Sequence, residues 1–237
     1  MTVLTAIADA TARGLLSRRR TLLMVILAAV PVLVALLVRI GGRAVDSAEA
    51  ASDVLDLLAV RAVLPLLALV FGTAALGSEL DDGTGTYLLT KPVARWRIVL
   101  AKLAVAGGLT TALVVPSVVL AGLLIVGIGG PGLEVIIRFV AATTIGAFAY
   151  AAVFLALGVL TSRALIIGLI YTFLWEGGLA GLFDGVQVLS IRQYVLGMAG
   201  AGTLDATTGL VLAVVLGALA FWLASVQLAR FEVRAAD

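Results

Sequence analysis

Only carboxylates, ammonium groups and guanidinium groups could supply charged chemistry in this sequence, and they are scarce. Charged residues make up 13% of the 237, and there is no Cys and no His. That absence removes disulfides, thiol nucleophiles, imidazole bases and the commonest zinc sites together. The remaining charges are unevenly spread. Between residues 79 and 95 lie Glu79, Asp81, Asp82, Lys91 and Arg95, interleaved with Gly83, Gly85, Thr84 and Thr86. Adjacent carboxylates such as Asp81 and Asp82 could hold a divalent cation, whereas opposite charges flanking Tyr87, Leu88 and Leu89 could fix the register of a docked partner. One further carboxylate, Glu176, interrupts an apolar stretch from Ala164 to Phe183.

The elements that must position these residues have two readings. In one, residues 79–95 form a solvated hairpin: Asp81-Asp82-Gly83 turns the chain, Thr90 caps the next helix and Pro92 sits in its first turn, where a missing N–H costs nothing. In the other, a short helix over 84–89 lies across the membrane surface, its Tyr87, Leu88 and Leu89 filling a partner's groove while Glu79, Asp81, Asp82 and Lys91 set the register. Glu176 likewise has two placements. Either it lies within the apolar stretch, where it must face protein, water or a basic partner or stay protonated, or the helix ends near Leu174 and the carboxylate reaches the interface.

Sixty-two per cent of the residues are hydrophobic, against about one half in soluble domains. Residues 21–38 carry no charge, and as helix they cover ~27 Å, close to the hydrocarbon thickness of a bilayer. Five more long apolar stretches follow, four of them interrupted by a single charge. The expected spans are 21–38, 57–77, 98–128, 135–160, 164–183 and 210–228, and the short connections leave one transmembrane domain over 1–237. Arg18-Arg19-Arg20 reads as the basic anchor of a retained first span, since the apolar run is longer than a signal-peptide core. Ahead of it, Val3, Leu4, Ile7, Thr11 and Leu15 recur at helical spacing with Asp9 and Arg13 elsewhere on the wheel, so residues 1–20 are expected to hold an amphipathic interfacial helix. Gly41-Gly42, Gly129-Gly130-Pro131-Gly132 and Thr161-Ser162 mark span ends, and Thr207-Thr208 are candidate N-caps of the last span. Pro31, Pro65 and Pro116 should kink their helices. Runs such as Gly107-Gly108 and Gly146-Ala147 permit close helix packing and carry no information about substrate.

Orientation follows from the basic residues. With the N-terminus inside, eleven of the sixteen Lys and Arg fall on the cytoplasmic side, among them Arg18 to Arg20, Lys91, Arg95, Lys102 and Arg163; five, including Arg61, Arg138 and Arg192, fall outside. The bias places both termini in the cytoplasm of a cell-membrane protein and requires an even number of spans. Net charge is +2, and this arrangement around a membrane gives no reason to expect a nucleic-acid partner.

Two runs in this setting carry a resemblance. Glu79-Leu80-Asp81-Asp82-Gly83-Thr84 closes the second span as a Glu-x-x-x-Gly-Thr run, and Lys91-Pro92-Val93-Ala94-Arg95 opens the third as Lys-Pro-x-x-Arg. Together with the six-span plan over essentially the whole chain, they resemble the permease subunits of the type 2 ATP-binding cassette exporters. The resemblance implies an all-α membrane protein of six transmembrane helices with a cytoplasmic amphipathic N-terminal helix. It implies a coupling helix between spans two and three, made by Glu79, Asp81, Asp82, Gly83, Thr84, Thr86, Tyr87, Leu88, Leu89, Lys91, Pro92 and Arg95, that meets a nucleotide-binding subunit. It also implies re-entrant helices after span five, with Glu176 at the break and residues 190–194 on the external return.

The chain has no Gly-x-x-x-x-Gly-Lys-Ser/Thr run, so ATP and Mg belong on a separate ATPase chain, and this chain is expected to be a transport subunit, not an enzyme, with no cofactor or metal of its own. A second permease copy is the other expected partner; a homodimer or a paired paralogue would each complete the pathway. Two other classes stay open. An ion-coupled carrier or channel would rely on an intramembrane charge, for which Glu176 is the candidate. A membrane-embedded enzyme has less support: Asp81-Asp82 resembles the paired aspartates of phosphatidyl transferases, but the further aspartates such a metal site needs are missing from span three, and a serine protease of this type would want a His.

Overall fold

A computed structural model describes residues 3–16, 18–41, 47–81, 94–128, 132–178 and 188–234. At 3, 4, 6, 18, 78–81 and 231–234 the backbone alone is described. Among these residues the chain is helical, with no strand. Helix α1 (Val3–Leu15) precedes α2 (Arg18–Ile40). Then α3 (Ser47–Val54), a π-helical stretch (Leu55–Val63) and α4 (Leu64–Asp81) run on as one rod. Helices α5 (Arg95–Val126) and α6 (Leu133–Leu160) are long, while α7 (Ala164–Ile170) continues only into a second π-helical stretch, Tyr171–Glu176. Helix α8 (Ile191–Ala199) is short and α9 (Ala206–Arg234) long.

Among the described residues five helices are long and apolar enough to cross a bilayer: Arg19–Ile40, Ser47–Gly77, Arg95–Val126, Leu133–Leu160 and Ala206–Arg230. The apolar helix Ala164–Glu176 is shorter; its 13 residues reach ~20 Å against a core of ~30 Å. Its expected continuation to Phe183 falls largely on 179–187, outside the described residues, as does the expected helix over 84–89.

Helix α6 is the centre of the bundle, touching α4, α5, α8 and α9. Tyr150, Phe139 and Phe154 on it are fully buried. With lipid as apolar as any side chain, helices associate through close packing and not through water exclusion, so small residues set the distance between them. The α4–α6 pair shows this: a Cβ on Gly72 would lie 2.9 Å from Phe154 Cβ, and one on Gly158 would lie 2.9 Å from the Thr73 carbonyl oxygen. Gly107 and Gly146 are equally confined, against Phe148 and Val195. Helices α2 and α9, by contrast, leave Leu22, Leu33, Leu37, Val214 and Leu219 exposed.

Helix α1 is amphipathic as its spacing predicts: Thr11 and Leu15 are buried, while Asp9 and Arg13 form an exposed i,i+4 pair at 2.7 Å. The cap of α9 corrects the sequence reading. Thr207 and Thr208 do not cap it themselves; Asp205 does, accepting from the Thr208 N–H at 3.0 Å and from both threonine hydroxyls. These donors hold its carboxyl well below the usual carboxylate range, because each favours the charged form. A carboxylate offers two acceptor oxygens where a hydroxyl offers one. Helix α8 ends on Gly200 at φ +75°, with Gly200 and Ala201 N–H groups returning to the Gly197 and Leu196 carbonyls at 3.0 and 2.9 Å; the left-handed turn suits glycine.

Candidate functional site

The charged segment of the sequence is bracketed by the C-terminal end of α4 and the start of α5. Glu79 and Asp81 lie in the last turn of α4 and Arg95 is the first residue of α5; residues 82–93, with Asp82, Gly83, Thr84, Thr86, Tyr87, Leu88, Leu89, Lys91 and Pro92, lie outside the described residues. The base of the segment is described. Helices α4 and α5 pack directly together, and α1 touches both. Thr11, Gly14 and Leu15 of α1 meet Ala74 and Ala75 of α4 around a small cavity of about 110 Å³. From α5, the fully buried Lys102 reaches the same point and donates its Nζ to the Ala75 carbonyl oxygen at 2.6 Å.

A lysine with no exposure, two turns into a membrane helix, is costly unless its ammonium is hydrogen bonded. That bond therefore ties the helix entering the charged segment to the helix leaving it. The sequence reading had counted Lys102 only as one more cytoplasmic charge. Its signal was nonetheless present: a lone cation inside an apolar run requires a buried acceptor.

The second polar centre lies at the opposite end of the bundle. Glu176 ends the second π-helical stretch and is 1% exposed. Its Oε1 accepts from the Tyr171 hydroxyl at 2.7 Å and the Ile191 N–H at 2.9 Å, and its Oε2 from the Ser190 hydroxyl and the Arg192 N–H at 3.3 Å. Ser190 caps α8, its hydroxyl oxygen accepting from the Gln193 N–H at 3.3 Å. The carboxylate thus binds the free N–H groups at the start of α8, where the helix dipole also favours negative charge. Of the two placements open to Glu176 in the sequence, the described geometry is the buried one, at a helix end.

Around it the first π-helical stretch supplies two more charges. Asp56 receives a bidentate pair from Arg192 at 2.9 and 2.8 Å, and Arg61 donates to the Gly177 carbonyl. The Trp175 indole N–H donates to the Leu189 carbonyl at 3.3 Å, and the Tyr194 hydroxyl to that of Val188. The Tyr150 hydroxyl, fully buried on α6, has Glu176 and Tyr171 as electrostatic neighbours.

The chemistry this allows is fastening. Glu176 is saturated by donors, Asp56 is neutralised by Arg192, and no group of three or more acidic, His or Cys ligands gathers among the described residues. Sequence reasoning had Glu176, and Ser190 to Tyr194 as neighbours; it missed Asp56 and Tyr171. Nothing in one sequence shows that Asp56 faces a residue 136 positions later, though a carboxylate and an Arg near the ends of apolar stretches were each visible.

Comparison with known proteins gives one family. The model of a family described as ABC-2 family transporter protein matches residues 16–176. No curated protein matches the chain.

Proposed function

The chain belongs to the ABC-2 family of transporter proteins, and on that premise we propose that it is the permease half of an ATP-driven exporter in the plasma membrane. As a multi-pass membrane component of an ABC transporter it carries no nucleotide site of its own; ATP and Mg bind a separate ATPase subunit. The docking surface is residues 79–95, with Tyr87, Leu88 and Leu89 as the contact and Glu79, Asp81, Asp82, Gly83, Thr84, Thr86, Lys91, Pro92 and Arg95 shaping and orienting it. Two copies of the chain form the pathway.

The observation that carries this reading is the junction beneath that segment. A push on residues 79–95 reaches α4 and α5 together, because the Lys102–Ala75 bond joins them, and α1 is packed on both. Force applied there reaches α1, α4 and α5 at once and, through α4 and α5, the central α6 on which both pack. Differential binding of ATP to the partner then shifts two packings of the permease. At the far end, α8 is held as a re-entrant helix by Glu176, and the two π-helical stretches supply places where helix register is already off the ordinary ladder.

Replacing Tyr87, Leu88 and Leu89 together by Ala, in the chain co-expressed with its ATPase, should leave membrane insertion unchanged and reduce transport-coupled ATPase stimulation by roughly tenfold or more, about the loss of 1.4 kcal/mol of docking energy. Full stimulation in that variant would sink the proposal. Activity of the purified chain without any ATPase would favour an ion-coupled carrier, with Glu176 as its intramembrane charge.

A further inference from the structure

The bundle holds a second feature, independent of the docking segment. An apolar groove of about 390 Å³ runs between α5, α6 and α9. Leu100 and Leu103 of α5, Phe148 and Ala149 of α6, and Gly217 and Phe221 of α9 are among the residues that line it. Lipid chains cover any exposed apolar face, but a smooth helix surface offers them no enclosure. This groove does, and it lies in the range of ordinary ligand sites.

Gly217 keeps it open for no packing reason. A Cβ there would meet only Ala149 Cα, at 3.9 Å, an ordinary contact, whereas Gly107, Gly146 and Gly158 would each collide at under 3.0 Å. This glycine therefore preserves space and not a close helix approach.

Beyond the groove, at the start of α5, stands a cation. Trp96, Leu100 and Leu103 follow at i, i+4 and i+7 and so share one face of α5. Trp96 is 48% exposed, one turn beyond the groove at the start of the helix, and the Arg97 guanidinium lies over its ring at 5.3 Å from the centroid. Tryptophan marks the headgroup level of a bilayer. An exposed arginine beside it, making no ion pair among the described residues, is a ready partner for a phosphate oxygen.

We propose that this groove is a binding site for one anionic phospholipid, an acyl chain lying over Gly217 between Phe148 and Phe221 and the headgroup phosphate on Arg97. An apolar slot ending on a cation at headgroup depth complements that molecule along its whole length. Phosphatidylcholine carries the same phosphate, but its quaternary ammonium offsets the charge, so a net-anionic headgroup gains more from Arg97.

The test uses the full chain reconstituted in vesicles of equal parts phosphatidylglycerol and phosphatidylcholine, followed by native mass spectrometry of lipid-bound species. Wild type should retain phosphatidylglycerol over phosphatidylcholine. Gly217→Leu fills the groove, and Leu favours helix over Gly, so it should keep the fold, checked by its thermal unfolding midpoint, and lose both lipids. Arg97→Gln should keep the chain site and lose the preference, by roughly fivefold. Unchanged retention in Gly217→Leu would overturn the proposal. So would efficient disulfide cross-linking of Gly217→Cys between two copies, which would make the groove an interface between permeases, and an unchanged lipid preference in Arg97→Gln.

Discussion

Removing the Glu176 carboxylate would strand four donors at once: two backbone N–H groups of α8 and the Ser190 and Tyr171 hydroxyls. Each buried donor left without a partner costs roughly 1–3 kcal/mol. Glu176→Ala should therefore lower unfolding stability by about 3 kcal/mol or more, seen as a depressed thermal midpoint in detergent. Glu176→Gln should fall between, because its amide offers one acceptor oxygen where the carboxylate offers two. If both variants kept the wild-type midpoint, the carboxylate would not be a fastening group, and a part in moving ions would become the better reading. Lys102 presents the same logic at the other end. The sequence shows both charges plainly and shows their depth in an apolar run, but not the Ala75 carbonyl or the Ser190 hydroxyl that receives them, since those partners are brought in by other helices.

Helix pairing rests on closer approaches than the sequence made evident. Gly107-Gly108 and Gly146-Ala147 stand out as doublets, and Gly107 and Gly146 do meet neighbours. Gly108 has nothing near its Cβ position. The close approach of α4 and α6 instead uses two isolated glycines, Gly72 and Gly158, which only that crossing relates. Gly158→Leu should separate α4 from α6 and cost roughly 1–3 kcal/mol by overpacking, measured against Gly108→Leu, which should be nearly neutral. Equal effects of the two would show that the crossing is looser than described. The π-helical stretches were not legible either: a wide turn differs from an ordinary one by the choice of carbonyl and not by residue type, and Pro65 signals only that a ladder bond is missing.

The whole molecule presents two polar ends joined by an apolar bundle, the Lys102–Ala75 junction at one and the Glu176–Arg192–Asp56 network at the other. Which end faces the cytoplasm is a prediction from charge alone. Because the chain has no native Cys, single cysteines can report it directly. Ala201→Cys should react with a membrane-impermeant maleimide in intact cells, and Ser162→Cys only after the cells are opened; the reverse pattern would invert the topology. The sequence by itself determined that the chain is a helical membrane protein, the course of most of its long helices, and its family, because hydropathy, charge bias and the Glu79 to Arg95 runs are written in consecutive residues. Only the tertiary structure decided that the Ala164 helix stops, as described, at a buried Glu176, that Arg192 belongs to Asp56, and that a groove opens over Gly217. Those depend on which helix faces meet, and contacts between residues a hundred positions apart leave no local pattern to read.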